Sequence, residues 1–207
     1  AYRTYSGHAK KRFKWMDPKF FRKDLTADLM ADVQAILELL RRVGRWDAAK
    51  DAKLNALATL VEDKHPKEKL LIFTQFADTA RYLGEELDRR KLKSLGVVTG
   101  DTADPSAMAW RFSPVSNEKR KQVAKADELR VLIATDVLSE GQNLQDAGIV
   151  VNYDLPWAII RLIQRAGRID RIGQKSSEIE CYSFLPAEGV ERIIRLRSRV
   201  RERLKQN

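Results

Sequence analysis

Apolar residues recur at helical spacing early in the chain, at Leu25, Leu29, Val33, Ile36, Leu37 and Leu40. That period predicts a helix from Asp24 to Val43, with Asp24 or Thr26 placed to cap it and Gly44 to end it. A second helix is predicted from about Asp47 to Glu62, with Leu54, Leu57, Leu60 and Val61 on one side; Lys64-His65-Pro66-Lys67 breaks it. From Lys69 the pattern changes. Leu70 to Phe73 is a continuous apolar run of the kind found in buried parallel strands. A helix from Asp78 to Lys91 follows, then a short strand from Leu95 to Val98. A loop with Pro105 and Pro114 spans Thr102 to Ser116, and Asn117 caps a helix through about Asp127. Strands are predicted from Val131 to Ala134, Ile149 to Tyr153 and Ile179 to Leu185. A helical segment carries Gln164, Gly167, Arg168 and Arg171, and a long basic helix runs from Glu188 to Lys205. The order β-α-β-α-β-β-α-β-α predicts an α/β fold: a mainly parallel sheet with helices on both faces and helical appendages at the N- and C-terminal ends. The expected division is a basic segment and helical lead-in (1–66), an α/β domain (67–188) and a basic C-terminal helix (189–207).

Composition changes this picture little. The chain has 207 residues, 43% of them hydrophobic, as in an ordinary soluble domain. No apolar run approaches membrane-spanning length, and the first residues lack a signal-peptide core. The start at Ala1 without Met suits a piece of something longer. One cysteine, Cys181, excludes an internal disulfide; in a strand-like run it is expected to be a buried, inert thiol in a reducing compartment. With two histidines, no metal site is expected.

Charge is more informative, because it is segregated. The net charge is +10, yet residues 24–188 hold 24 Lys/Arg against 26 Asp/Glu. The excess lies in 1–23 and 189–207, which suits contact with a polyanion or, equally, solvated tails. The aromatic residues of the first segment, Phe13, Trp15, Phe20 and Phe21 among them, suit either packing on a neighbour or nucleic acid.

The chemistry concentrates between Val131 and Gln174. Two predicted strands each deliver a polar loop to one sheet edge, where open α/β sheets bind ligands. Gly141 permits close backbone approach, and Arg168 and Arg171 carry forks suited to phosphate oxygens. Gln164, Arg168 and Arg171 stand at i, i+4, i+7, a spacing that puts all three on one face if the helix continues through Gly167. The bland alternative for the arginines is an ion pair with Asp170 or Asp154.

ATDVLSEGQNL (134–144) resembles motif V of superfamily 2 helicases and translocases, and QRAGRIDRIGQ (164–174) resembles motif VI. RIGQ, with DLPW upstream, is similar to the Snf-type branch, including bacterial RapA-like ATPases. The resemblance covers roughly Asp51 to Leu185 and implies a RecA-like lobe of the P-loop NTPase type, the C-terminal half of a two-lobed motor. It implies arginine fingers at Arg168 and Arg171, orientation by Gln164, and a nucleotide-facing lining from Glu140, Gly141 and Asn143. Asn143 stands where some helicases place a ribose-binding acid. Thr74, Gln75, Thr99, Gly100 and Thr135, each just after a strand, match positions that touch a nucleic-acid backbone. No GxxxxGK[ST] and no suitable DExx is present. Implied partners are therefore ATP with Mg²⁺ held mainly by a missing N-terminal lobe, that lobe itself, and nucleic acid, with duplex DNA favoured by the Snf-type motifs. No hydrolysis is expected from this chain alone. No membrane is implied, and the setting is the bacterial cytoplasm. The rivals are a non-catalytic scaffold lobe that binds a protein, and an RNA-directed helicase lobe.

Overall fold

A computed structural model describes residues 16–139, 142–156 and 158–185. The predicted C-terminal helix, the first basic stretch, Glu140, Gly141 and Trp157 lie outside the described residues. The chain divides into two compact units, Ala1–Asp47 and Ala48–Asn207.

In the first unit, α1 spans Leu25–Val43, as the apolar period predicts. Gly44 ends it at φ 70°, a left-handed value that favours glycine, and its N–H reaches Leu40 O at 3.0 Å. Asp24 holds the N-cap position but makes no capping bond; its carboxylate pairs with Arg22. The apolar stripe of α1 is exposed, Leu37 at 46% and Leu40 at 59%.

In the second unit, Asp51 accepts from the N–H groups of Lys53 and Leu54 at 3.0 Å, which starts α2 at Ala52–Thr59, later than predicted. A π-helical turn carries the chain on through Leu60–Lys64. Then come β1 (Leu70–Phe73), α3 (Ala77–Arg89), β2 (Leu95–Val98), α4 (Pro105–Phe112), β3 (Val131–Ala134), β4 (Ile149–Asn152), α5 (Ile159–Ala166) and β5 (Glu180–Ser183). The sheet order is β2-β3-β1-β4-β5 and every pairing is parallel. This is the expected α/β, RecA-like fold.

Side chains alternate faces along each strand, so each strand feeds two cores. Leu70, Ile72, Ile133 and Val151 pack with Leu54 and Leu57 of α2 and with Leu83 and Leu87 of α3. Leu71, Phe73, Leu132 and Val150 pack with Ala109 and Phe112 of α4 and with Leu144 and Ile169. Helices therefore cover both faces, and the central strands β1, β3 and β4 are buried along their whole length because neither face meets water.

Three expectations are corrected. The stretch 117–127 is turns with a 3-10 turn at Lys125–Asp127, and the helix lies earlier, at α4. Asp104 Oδ1 accepts from Ala107 N at 2.9 Å and Pro105 opens the first turn, where a missing N–H costs nothing. Asn117 instead donates its amide to Ser113 O and Asn143 O, both at 2.7 Å. Finally, Cys181 is exposed, because β5 ends the sheet order and pairs with β4 alone.

Candidate functional site

β1, β2, β3 and β4 end in register: Val98 and Phe73 flank Ala134, and Phe73 also faces Asn152. The next residues, Thr99, Thr135, Thr74 and Tyr153, thus form a row across the carboxyl edge. Strands lie ~4.8 Å apart, so the three threonines span about 10 Å. β1 is flanked by β3 and β4, and the chain leaves β1 toward β2 but β4 toward β5. Such a reversal places a crevice at the strand ends.

The row's members are used differently. Thr74 is fully buried and its hydroxyl donates to Asp154 Oδ2 at 2.6 Å. Gln75 N–H donates to the same oxygen at 2.6 Å, and Gln75 Nε2 to Leu155 O at 3.2 Å. Thr99 donates its N–H to Thr102 Oγ1 at 2.9 Å. Gly100 is exposed with open space where a Cβ would stand. Thr135 is 8% exposed; its N–H belongs to the ladder through Val98 O at 3.0 Å. Lys53 of α2 joins this edge: its ammonium lies 3.9 Å from the Tyr153 ring centre. Burial lowers the Lys53 pKa, against the pull of Asp154 and Asp51.

Gln164 is exposed on α5. The helix ends at Ala166, and Gly167 N–H closes it on Ile163 O at 2.8 Å. Arg168 and Arg171 therefore follow in successive turns, so one helical face does not carry all three residues. Glycine's low helix propensity, in a helix of only eight residues, is the reason. Arg168, half-buried, donates its N–H to Arg165 O at 3.2 Å. Arg171 is exposed; Nε donates to Gly167 O at 3.1 Å and Nη1 to Asn143 Oδ1 at 3.3 Å. The structure thus brings Asn143, in the loop after β3, to Arg171, beyond α5. Asn143 is itself held by Ser116 O at 3.4 Å.

Sequence reasoning passed over Arg165 and Asp136. Arg165 is fully buried. Its Nε donates to Asp136 Oδ1 at 2.8 Å, and its Nη1 to Asn152 Oδ1 at 3.1 Å and Asp154 O at 3.4 Å. It also lies 5.2 Å from the Phe73 ring centre. One guanidinium therefore ties α5 to the ends of β1, β3 and β4. Asp136 takes a second cation, Arg161, at 2.8 Å.

The arrangement suits a phosphate. Arg171 is fixed by two neutral oxygens, so those bonds orient the guanidinium without cancelling its charge. Among the described residues no group of three or more His, Cys, Asp or Glu is close enough to hold a metal ion.

Residues 52–173 match the helicase conserved C-terminal domain, more than half of the chain. The chain belongs to that family. Among its curated relatives, an uncharacterized ATP-dependent helicase of Bacillus subtilis (strain 168), YqhH, is 32% identical over 147 residues, 70% of this chain and 24% of that protein. The ATP-dependent RNA helicase DBP8 of Kluyveromyces lactis is 31% identical over 147 residues, 71% of this chain and 31% of that protein. The chain thus spans less than a third of the length of these two helicases. Among solved structures, the C-terminal part of the Fun30 ATPase domain superposes with TM-score 0.56 at 17% identity, covering 93% of this chain and 61% of that one. A DEAD box protein from Methanococcus jannaschii gives 0.51 at 24%, covering 73% and 38%. These two likenesses are of fold.

Proposed function

We propose that this helicase lobe is the second half of an ATP-dependent, Snf-type translocase that moves along duplex DNA, with its first lobe elsewhere in a longer protein. The observation that carries the reading is Arg171, exposed, held by Asn143 Oδ1 and Gly167 O, and in no ion pair with a carboxylate among the described residues. ATP with Mg²⁺, gripped mainly by the other lobe, supplies the phosphoryl group that is transferred. Arg171 neutralises charge developing on that group, and Arg168 holds neighbouring phosphate oxygens. Gln164 and Asn143 line the nucleotide side. Thr135, Thr99 and Gly100 meet the nucleic-acid backbone. Thr74 and Gln75 shape that edge by fixing Asp154, with the Gln75 side chain alongside. Closure and reopening of the lobes around each ATP converts hydrolysis into movement.

The RIGQ and DLPW segments support duplex DNA. The second reading, an RNA-directed helicase, is supported by the relative named as an RNA helicase. Turnover by the full-length protein with duplex DNA, and separately with RNA, decides between them. The DNA reading expects duplex to raise turnover at least tenfold; stimulation by RNA alone would replace it with the second.

A further inference from the structure

Opposite the crevice, at the amino ends of the strands, lies a second charged feature. Leu95, Val131 and Leu70 begin β2, β3 and β1 in register, so Ser94, Arg130 and Lys69 stand side by side one position earlier. Two hollows along this edge share Ser94, Glu128 and Leu129 and so form one trough. The larger, about 570 Å³, carries Lys91, Lys93 and Arg111 against Asp88 and Glu128. The smaller, about 210 Å³, carries Lys67, Lys69, Lys125 and Arg130 against Glu128 alone. Residues 24–188 have slightly more acids than bases, so this excess of cations is local.

The trough's internal pairing leaves several cations over. Lys69, Arg120 and Lys125 converge on Glu128, Lys69 at 2.7 Å. Arg130 donates to the carbonyls of Val61, His65 and Glu68. Lys67, Lys91 and Lys93 are exposed and make no ion pair among the described residues. The loop that offers two of them turns through left-handed conformations at Lys91 (φ 66°) and Ser94 (φ 57°), which cost roughly 1 kcal/mol each away from glycine.

We propose that this trough is a second nucleic-acid contact, which takes the phosphate backbone of a strand outside the motor's own crevice. Exposed lysines recognise phosphates as point charges and read no bases. Three strands side by side span about 10 Å, and one strand of duplex carries a phosphate per ~3.4 Å of axis, so about three phosphates match the trough. The inference rests on the reading that this helicase lobe works on a polynucleotide, because that reading brings a phosphate chain to the surface.

The test is salt-dependent binding of a random-sequence duplex to the 207-residue chain. The double variant Lys67→Gln/Lys93→Gln is compared with Arg41→Gln/Lys175→Gln, which removes two exposed charges elsewhere. Unchanged thermal unfolding shows that both fold. The trough variant is expected to weaken binding about tenfold at low salt. It also reduces the slope of log affinity against log salt by about 2, roughly one unit for each phosphate no longer neutralised. The control moves affinity less than twofold. If both variants behave alike, the trough assignment falls while the motor reading stands. If the parent chain binds no duplex and no RNA, both fall. Polyglutamate that displaces duplex as well, charge for charge, as duplex itself does would assign the trough to acidic protein and overturn the proposal.

Discussion

Arg165, without exposed surface, donates its Nε–H to Asp136 Oδ1 at 2.8 Å across the edge of the sheet. A buried guanidinium needs such a partner, since an unpaired one costs several kcal/mol. The pair fixes the turn after β3 to α5, and so sets the base from which the chain passes through Gly167 to Arg168 and Arg171. Replacing Arg165 by Met takes this partner from Asp136. Urea unfolding should show a loss of about 3 kcal/mol. A loss under ~1 kcal/mol would mean that the pair holds nothing together.

Glu128 gives a pH-dependent counterpart at the other edge. Burial opposes its ionisation, but hydrogen bonds from Lys69, Arg120 and Lys125 outweigh burial and bring its pKa from 4.5 down to about 2. A carboxylate depressed on folding stabilises the protein above its unfolded pKa, and that stability fades as pH falls through the folded value. Glu128→Gln should therefore cost about 1 kcal/mol at pH 7, after discounting for solvent screening. The gap between variant and parent should narrow from about pH 4.5 toward pH 2. Acid titrations that stay parallel over that range would remove Glu128 from the account of acid stability.

Gly84 faces the sheet at a position that has no room for a side chain. A Cβ there would stand 2.4 Å from Val97 Cγ2 on β2. Gly84→Ala should destabilise by roughly 1–3 kcal/mol through overpacking, despite alanine's better helix propensity. Gly84→Ala/Val97→Ala should recover part of that loss; no recovery would point to a cause other than the Val97 side chain.

The central strands β1, β3 and β4 were legible because short, mostly apolar runs between polar loops admit little else, and the row of strand-end residues followed from them. Other features depend on tertiary partners. Pro105 reads as a breaker until Asp104 is seen to cap the turn that Pro105 opens. The α5 stripe misleads: Ile160 and Ile163 are 56% and 48% exposed while Arg165 is buried. Arg165 lies inside because Asp136, Asn152 and the Asp154 carbonyl converge there, which no local pattern announces. The hydrogen bond from Arg171 to Asn143 joins residues 28 apart in sequence through two irregular segments. Both residues could be picked out from their motifs, but their meeting could not.

Thr135 separates the two faces of the proposed motor. Thr135→Ala in the full-length protein should lower nucleic-acid stimulation of ATP turnover several-fold and leave turnover without nucleic acid within about twofold. The comparison is steady-state turnover with and without saturating duplex. Equal losses in both conditions would place Thr135 in catalysis or folding instead.

The central claim is that Arg171 serves the transferring phosphoryl group. Arginine-finger removal costs about 10³–10⁵ in rate, and lysine keeps the charge but loses the planar fork. The decisive measurement is ATP turnover by full-length Arg171→Lys at saturating duplex, paired with duplex affinity in the absence of nucleotide. Turnover should fall at least ~100-fold while affinity stays within about threefold. Turnover near that of the parent protein would contradict the assignment and leave Arg171 as a residue that merely braces Asn143.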